Sequence, residues 1–450
     1  MSSSETVESM AAGLREANAA VAQRWPGESG RRQPVHVVYG GAQLFRHDSA
    51  PKIGAVARRA LQDHAPDAAS LALVIGLDRD EDHELAEAIH ARVVEKLERE
   101  PVEDFRIDFE DGYGNRSDED EDGHAAGCAL AVAQGMREGT LPPFIGIRVK
   151  SLGEETRRRS IRTLDVFVST LVDATGGRLP DNFVVTLPKV TSAAQVEHFC
   201  DVLERLEREL GLPAGSLRFE LMVETTQSIV TPTGHAALPL LLDASRGRMA
   251  AAHFGTYDYT AACGITAAHQ RMGHPACFNA LHAMQVAFAG TGVWLSDGST
   301  AILPVPPHRA ADGAALTEVQ EHENHTSVHR AWRLHYDDVS RSLSNGFYQG
   351  WDLHPAQLVT RYAAVYAFFL AGLDAAAERL RNFVEKAAQA TLVGDVFDDA
   401  ATGQALLNFF LRAINCGALS EEQTVERTTL TFEELRGRSF LRILANRRGA

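Results

Sequence analysis

Cysteine is scarce in this chain: five residues in 450, at positions 128, 200, 263, 277 and 416, with no close pairs among them. An odd, scattered set builds neither a disulfide framework nor a zinc ribbon, and it fits a reducing compartment. Basic residues are outnumbered, 44 Lys and Arg against 60 Asp and Glu, which leaves a formal charge of −16. That balance argues against non-specific binding to nucleic acid or acidic membrane, both of which want a basic surface. Long hydrophobic runs are missing as well. The longest, Tyr362 to Leu373, falls far short of the roughly 20 residues that a membrane-spanning helix needs. The first residues, SSSETVES, are polar and acidic where a signal peptide is basic and then apolar, so the sequence reads as a soluble, cytoplasmic protein. It also has no glycine-rich phosphate loop, short internal repeat or low-complexity tract.

What is present is enough apolar material for a large core: 45% apolar against 23% charged residues is ordinary globular composition. The length exceeds one average domain but accommodates a large α/β barrel with a helical appendage. Along the chain, Val7, Met10, Leu14, Ala17 and Val21 have helical spacing and predict a leading helix over 4–24, closed by Pro26-Gly27. Strands are then expected at VHVVYGG after Pro34, LALVIG (71–76), FRIDF (105–109), FIGIRV (144–149), FVVTLPK (183–189), RFELMVE (218–224), MAAAHFGTYD (249–258), Val293 to Leu295, and Gly346 to Leu353. Helical patterns separate most of them, at 52–61, 82–99, 121–137, 156–171 and 192–210.

Strands alternating with helices predict βαβ units and a parallel sheet, here a (β/α)8 TIM barrel. Nine strand candidates compete for eight places, and LALVIG is the one set aside as an insertion. After Pro355 the pattern becomes continuously helical, at 356–391, at 402–415, and in a last helix opened by the capping box Thr431 to Glu434. The expected division is an N-terminal helix and linker over 1–33, a catalytic barrel over 34–355, and a helical extension over 356–450.

Catalytic groups of a parallel barrel stand where each strand meets its C-terminal loop. Those positions hold Asp108, Glu110 and Asp111 in FRIDFEDGYG, then Arg148, Lys189, Glu224, Asp258 and His354, all ionisable and mostly acidic. Crowded carboxylates are costly without a cation or solvent. Glu224 and Asp258 end successive strands and would bring two hard oxygen donors to one rim, a common way of holding Mg2+. Arg148 could grip a substrate carboxylate with its forked donors. Together they would stabilise an enolate, the charge that develops when a bond beside a carbonyl breaks.

Six motifs then occur in a familiar order: IDFEDGYG, GIRVK, TLPKV, LMVETTQSI, HFGTYDYTAACG and GFYQGWDLHPAQL. In this respect the chain, over roughly 35–362, resembles the citrate lyase β-subunit and malyl-CoA lyase family of the pyruvate/phosphoenolpyruvate barrel superfamily. The resemblance implies that Glu224 and Asp258 bind Mg2+, or Mn2+ in its place, and that Arg148 holds the substrate carboxylate or the enolate oxygen. It further implies that Asp108, Glu110 and Asp111 act around them as supporting acids or water ligands. The implied activity is cleavage or formation of a carbon–carbon bond in a small 2-oxo or hydroxy acid or its CoA thioester. The implied assembly is a homo-oligomer whose C-terminal helices cover a neighbouring barrel, with the aromatic stretch Tyr362 to Phe369 as a candidate buried face. The chain departs from the family in the LALVIG and 82–99 segments, the tyrosines flanking Asp258, Trp351-Asp352, and the long tail. No basic signature for the adenine end of CoA is visible.

Plainer readings stand beside these. Glu224 and Asp258 could be strand-end salt-bridge partners, Arg148 a structural ion pair, Lys189 a loop lysine, and His354 a residue that positions its own loop. Lys189 is kept with Arg148, Asp108 and Asp111 among the catalytic candidates, and His354 with Arg148 and Glu110 among the substrate-binding ones. His47 is a further candidate base. SDEDEDG (117–123) imitates the start of a calcium loop, but the twelfth position, which needs a bidentate Glu, is Ala129, so the run reads as a solvated helix entrance. His322, His325 and His329 read as a polar, exposed helix face. The competing functions are phosphoryl transfer or hydrolysis on the same barrel, and a barrel without catalysis that serves as a binding or regulatory subunit.

Overall fold

The computed structural model describes residues 11–27, 31–77, 82–310, 315–385, 391–393, 396–398 and 400–448. Eight parallel strands close on one another: β1 His36–Gly41, β2 Asp104–Asp108, β3 Phe144–Arg148, β4 Phe183–Leu187, β5 Arg218–Val223, β6 Met249–Phe254, β7 Trp294–Ser299 and β8 Gln349–Asp352. β8 returns to β1 with His36 opposite Gly350, so no strand edge is left open. The structure is the expected (β/α)8 barrel, flanked by terminal helices. The leading helix is seen as Arg15–Arg24, with no buried residue; the expected residues 4–10 lie outside the described ones.

LALVIG is not a strand. It lies in the helix Ala68–Ile75, which Asp67 and Ser70 cap reciprocally and Gly76 ends at φ 76°. An unbroken apolar run of six has no period of its own, so the flanking caps decide the matter. Leu71, Val74 and Ile75 are buried there while Leu73 faces solvent, the pattern of a helix and not of a strand.

The helix Gln357–Ala371 follows β8 directly and is buried along most of its length. Tyr362, Tyr366 and Phe369 pack into this chain's own core, and the Tyr362 hydroxyl donates to Pro101 O at 2.9 Å. The aromatic stretch expected to face a partner is therefore spent on closing the barrel. The helical pattern also breaks where continuity was expected. Gly372 separates Gln357–Ala371 from Leu373–Glu385, and Thr391–Val393 pairs antiparallel with Val396–Asp398. The capping box at Thr431 and Glu434 opens the helix Phe432–Gly437 as expected. No single described helix is long and apolar enough to cross a membrane; one bent pair, Gln357–Ala371 with Leu373–Glu385, passes that test by length and composition alone.

Strand alternation sorts β2 into two faces. Phe105 and Ile107 turn outward into the apolar core, whereas Asp104, Arg106 and Asp108 turn into the barrel. FRIDF, read as an apolar strand, is thus charged on its inner side. Arg106, fully buried, donates to Asp104 Oδ2 at 3.0 Å, to Glu220 Oε2 at 2.9 Å and to Thr186 Oγ1 at 3.2 Å. His253 Nε2 lies 3.3 Å from the same Glu220. Above this charged layer Tyr39 stacks on Trp351 with ring centroids 4.6 Å apart, joined by Val37 and Met222. That aromatic layer is the floor on which the rim residues rest.

Candidate active site

Asp108 and Arg148 are register partners on β2 and β3, so strand pairing alone brings them together. Arg148 Nε donates to Asp108 Oδ1 at 2.7 Å and a terminal nitrogen to Oδ2 at 2.6 Å. Asp108 accepts two more bonds from the following turn, from the backbone N–H groups of Glu110 at 3.0 Å and Gly112 at 2.7 Å. With both oxygens committed to donors, Asp108 is a brace for Arg148. Gly112 is required for this closeness, because a Cβ there would stand 2.7 Å from Asp108 Oδ2. Arg148 also lies over the Tyr39 ring, 4.8 Å from its centroid, which fixes the guanidinium from below. Its remaining nitrogen is 3.1 Å from Glu110 Oε2 and 3.5 Å from Asp111 Oδ2.

Lys189, in the loop after β4, has left-handed backbone geometry with φ 51°. From there its N–H donates to Glu224 Oε1 at 2.7 Å. Its ammonium pairs with Glu110 and lies 3.3 Å from Asp111 and 3.5 Å from Asp258. Burial works against that ammonium, but Glu224, Glu110 and Asp111 hold its pKa above the ordinary lysine range. Glu224, at the end of β5, is 2% exposed. Burial raises its carboxyl to about 8, with Lys189 opposing and Asp258 and Glu110 adding to the rise. Burial likewise raises Glu110, whose Oε2 accepts no hydrogen bond. Asp111 is held low by Arg148 and Lys189 despite partial burial. Gly255 leaves the space that the Glu224 side chain occupies, since a Cβ there would meet it at 2.5 Å. Asp258 stands in the first turn of the short helix Thr256–Ala262 and is the most open of the rim acids beside Asp111.

The structure thus brings together seven of the residues singled out from sequence: Asp108, Glu110, Asp111, Arg148, Lys189, Glu224 and Asp258. It does not bring in His354, whose Nδ1 accepts from Ala356 N at 3.2 Å and, among the described residues, reaches none of the seven. His47 pairs with Glu138 at 2.9 Å, away from the rim. His322 is exposed as expected, but His325 and His329 are half-buried against His64, with His64 Nδ1 3.1 Å from His325 Nδ1. Asp118 to Asp122 begin the helix Asp118–Glu138 behind the N-cap Ser117, and Asp122 pairs with Arg159 and Arg162. Tyr39 and Trp351 were missed as a floor, although Tyr39 alternates with Val37 on β1 and Trp351 was noted beside the His-Pro motif. The Trp351 indole N–H has no hydrogen-bond partner among the described residues.

Chemically, the rim offers only hard oxygen acceptors around one guanidinium and one ammonium. Among the described residues no three His, Cys, Asp or Glu side chains already form a closed metal cage. Yet the buried Glu224 carboxyl, its pKa pushed up by burial, stands with Glu110, Asp111 and Asp258 around one ammonium, a set that one more cation would relieve. The residues therefore fit a divalent ion bound through oxygen.

A family profile described as a domain of unknown function (DUF6986) matches residues 14–443. None of the curated proteins matches the chain. Among solved structures, a citrate lyase from Burkholderia xenovorans LB400 has 18% identity and a TM-score of 0.53, over 88% of this chain and 97% of its own. A malate synthase from Haloferax volcanii has 15% identity and a TM-score of 0.47, over 89% and 98%. The protein CitE from Mycobacterium tuberculosis, solved with magnesium, acetoacetate and coenzyme A, has 15% identity and a TM-score of 0.45, over 86% and 99%. The likeness to the citrate lyase is one of fold, the barrel fold that the ordered motifs implied.

Proposed function

The chain belongs to the DUF6986 family, and on that premise we propose that it is a Mg2+-dependent carbon–carbon lyase or aldolase acting on a small 2-oxo or hydroxy carboxylic acid, or its CoA thioester, through an enolate. One observation carries the reading: Glu224, buried with its pKa raised to about 8, sits beside Asp258, Glu110 and Asp111 with the ammonium of Lys189 among them. Glu224 and Asp258 would hold Mg2+, or Mn2+ in its place. Bound there, the ion supplies Lewis-acid stabilisation to charge developing beside the substrate carbonyl.

The chain's own residues do the rest. Arg148, braced by Asp108 through two bonds, presents its remaining nitrogen toward the mouth, where a substrate carboxylate competes with Glu110 and Asp111 for it. Lys189 holds a positive charge near the same oxygen atoms and supplies a proton donor within reach of Glu110 and Asp111. Tyr39 and Trp351 close the bottom, exclude water, and favour a small substrate. We place the chemistry in the barrel over 34–355; of the expected extension over 356–450, the helix Gln357–Ala371 packs into the barrel's own core. We expect the enzyme to be cytoplasmic and to work as a homo-oligomer.

The test follows methyl protons of pyruvate exchanging for deuterium by NMR, with Mg2+ and then with chelator. Metal-dependent exchange that Glu224→Ala abolishes supports an enolate. Absence of exchange together with no divalent binding in calorimetry overturns the reading, whereas metal binding without exchange moves the substrate to a thioester.

A further inference from the structure

His64 closes the helix Ser49–His64, and His325 and His329 lie one turn apart on the helix Glu318–Ser344. His64 Nδ1 stands 3.1 Å from His325 Nδ1. Packing holds the rings in that position. His64 is edge-on to His325 with centroids 4.8 Å apart and edge-on to Trp332 at 6.0 Å, while His329 lies flat against Trp332 at 6.1 Å. Trp332 is itself fixed, being fully buried and donating to Ala356 O at 2.7 Å. His329 Nε2 donates to the carbonyl oxygen of His64 at 2.7 Å, which commits that nitrogen to closing the end of the other helix.

Two imidazole nitrogens at this distance have two uses. If one ring carries its proton on Nδ1, the contact is a hydrogen bond; if both carry it on Nε2, two lone pairs converge on one point. The second arrangement is a chelate. Metal–imidazole bonds of about 2.1 Å that span the observed 3.1 Å enclose an angle of about 95°. That is close to the right angle of an octahedral or tetragonal ion, and well short of the tetrahedral angle of about 109° that zinc prefers.

The electrostatics favour the ligand form. Burial, with His325 and His329, lowers the pKa of His64 to about 4 against the pull of Asp63, so at neutral pH its ring has no proton to displace. Asp63 is turned to Arg59 at 3.4 Å. Among the described residues no third His, Cys, Asp or Glu completes a cage. Both rings are half-buried, so water reaches the remaining positions of an ion held there.

We propose that His64 and His325 form a two-nitrogen site for a divalent transition metal of octahedral or tetragonal preference, with water completing its shell. The ion would join the last turn of one helix to the middle of another, 261 residues later, and so staple the segment after β1 to the segment after β7. The site is separate from the carboxylate rim, whose oxygen donors suit harder ions. It does not depend on the reaction proposed there.

The test titrates the full chain with Ni2+ and with Zn2+, in excess Mg2+ and again in Glu224→Ala, so that metal taken by the rim is told apart. Calorimetry reads binding, and circular dichroism reads folding and Tm. One saturable Ni2+ site, at least as tight as that for Zn2+ and weakened about tenfold or more in both His64→Gln and His325→Gln, supports the proposal. So does a Tm that Ni2+ raises in the parent but not in His325→Gln. The exposed His322, three residues before His325, is the control, and His322→Gln should leave the affinity as it is. No saturable Ni2+ site, Zn2+ held more tightly than Ni2+, or affinity unchanged in folded His64→Gln or folded His325→Gln would overturn it. A loss in His322→Gln equal to that in His325→Gln would put the ion on the exposed helix face, and would overturn it as well.

Discussion

Lys189 meets Glu224 through its backbone and not its ammonium: the N–H donates to Oε1 at 2.7 Å, from a residue held at φ 51°. Left-handed geometry costs a non-glycine residue about 1–2 kcal/mol, so the contacts around Lys189 must offset it. The geometry sends the ammonium past Glu224 to Glu110, Asp111 and Asp258. Lys189 shares Glu110 and Asp111 with Arg148 and is the cation within 3.5 Å of Asp258.

Lys189→Met keeps the backbone donor and removes the charge. Divalent binding at Glu224 and Asp258 should then tighten, by about tenfold, because the resident cation no longer competes. Titration calorimetry with Mg2+ decides it. Unchanged or weaker affinity would show that the ammonium and the metal do not compete.

The raised pKa of Glu224 gives a signed pH dependence. Burial, with the neighbouring acids, lifts it from the ordinary 4.5 to about 8, so the native state keeps a proton that the unfolded chain has given up. Stability of the metal-free protein should therefore fall as pH rises from 4.5 through about 8, and level off above. Mg2+ binding near pH 7 should release close to one proton, and none well above pH 8. Urea unfolding across pH, and calorimetry in buffers of different ionisation heat, measure the two effects. Glu224→Gln should flatten both; if the native protein is already flat, Glu224 is ionised before metal arrives.

The sequence made the rim legible because barrel topology places strand ends together, and Asp108, Arg148, Lys189, Glu224 and Asp258 were all read as strand ends. It did so for a physical reason: the register that pairs Asp108 with Arg148 is the one that buries Phe105, Ile107 and Ile147 on the outer face. His354 was legible only as a strand-end ionisable group, and its bond to Ala356 depends on the turn that Pro355 makes. LALVIG misled because hydrophobicity without period does not distinguish strand from helix, although Asp67, Ser70 and Gly76 carried the answer. The charged interior was overlooked by averaging over both faces of β2. Read with period two, Asp104, Arg106 and Asp108 already lie on one side.

That interior makes its own prediction. Arg106 pairs with both Asp104 and Glu220 inside the barrel. Glu220 is held well below the carboxylate range by Arg106 and His253 despite its burial, whereas burial raises Asp104 to about 6 against the pull of Arg106. Removing one member leaves uncompensated charge, so Arg106→Met should cost about 3–5 kcal/mol of stability. Replacing Asp104 and Glu220 as well, by Asn and Gln, should recover part of that loss. Denaturant unfolding of the single and triple variants measures both; a single-variant cost below about 1 kcal/mol would mean that water or another cation reaches the layer.

Arg148 separates a fork from a point charge. Its Nε and one terminal nitrogen grip Asp108, and its third nitrogen faces Glu110 and Asp111 at the mouth. Lysine retains the charge but has no planar edge to lie between Asp108 and a substrate oxygen, nor a flat face for Tyr39. Arg148→Lys should therefore fold, with a Tm within a few degrees of the parent, and still bind Mg2+ at Glu224 and Asp258. Its turnover should fall by about a hundredfold or more, the scale of losing one donor to developing charge. A drop confined to KM would instead make Arg148 a ground-state anchor, binding substrate and transition state alike. A collapse in Tm with activity per folded molecule unchanged would make it a structural ion pair, and the catalytic donor would then have to be Lys189.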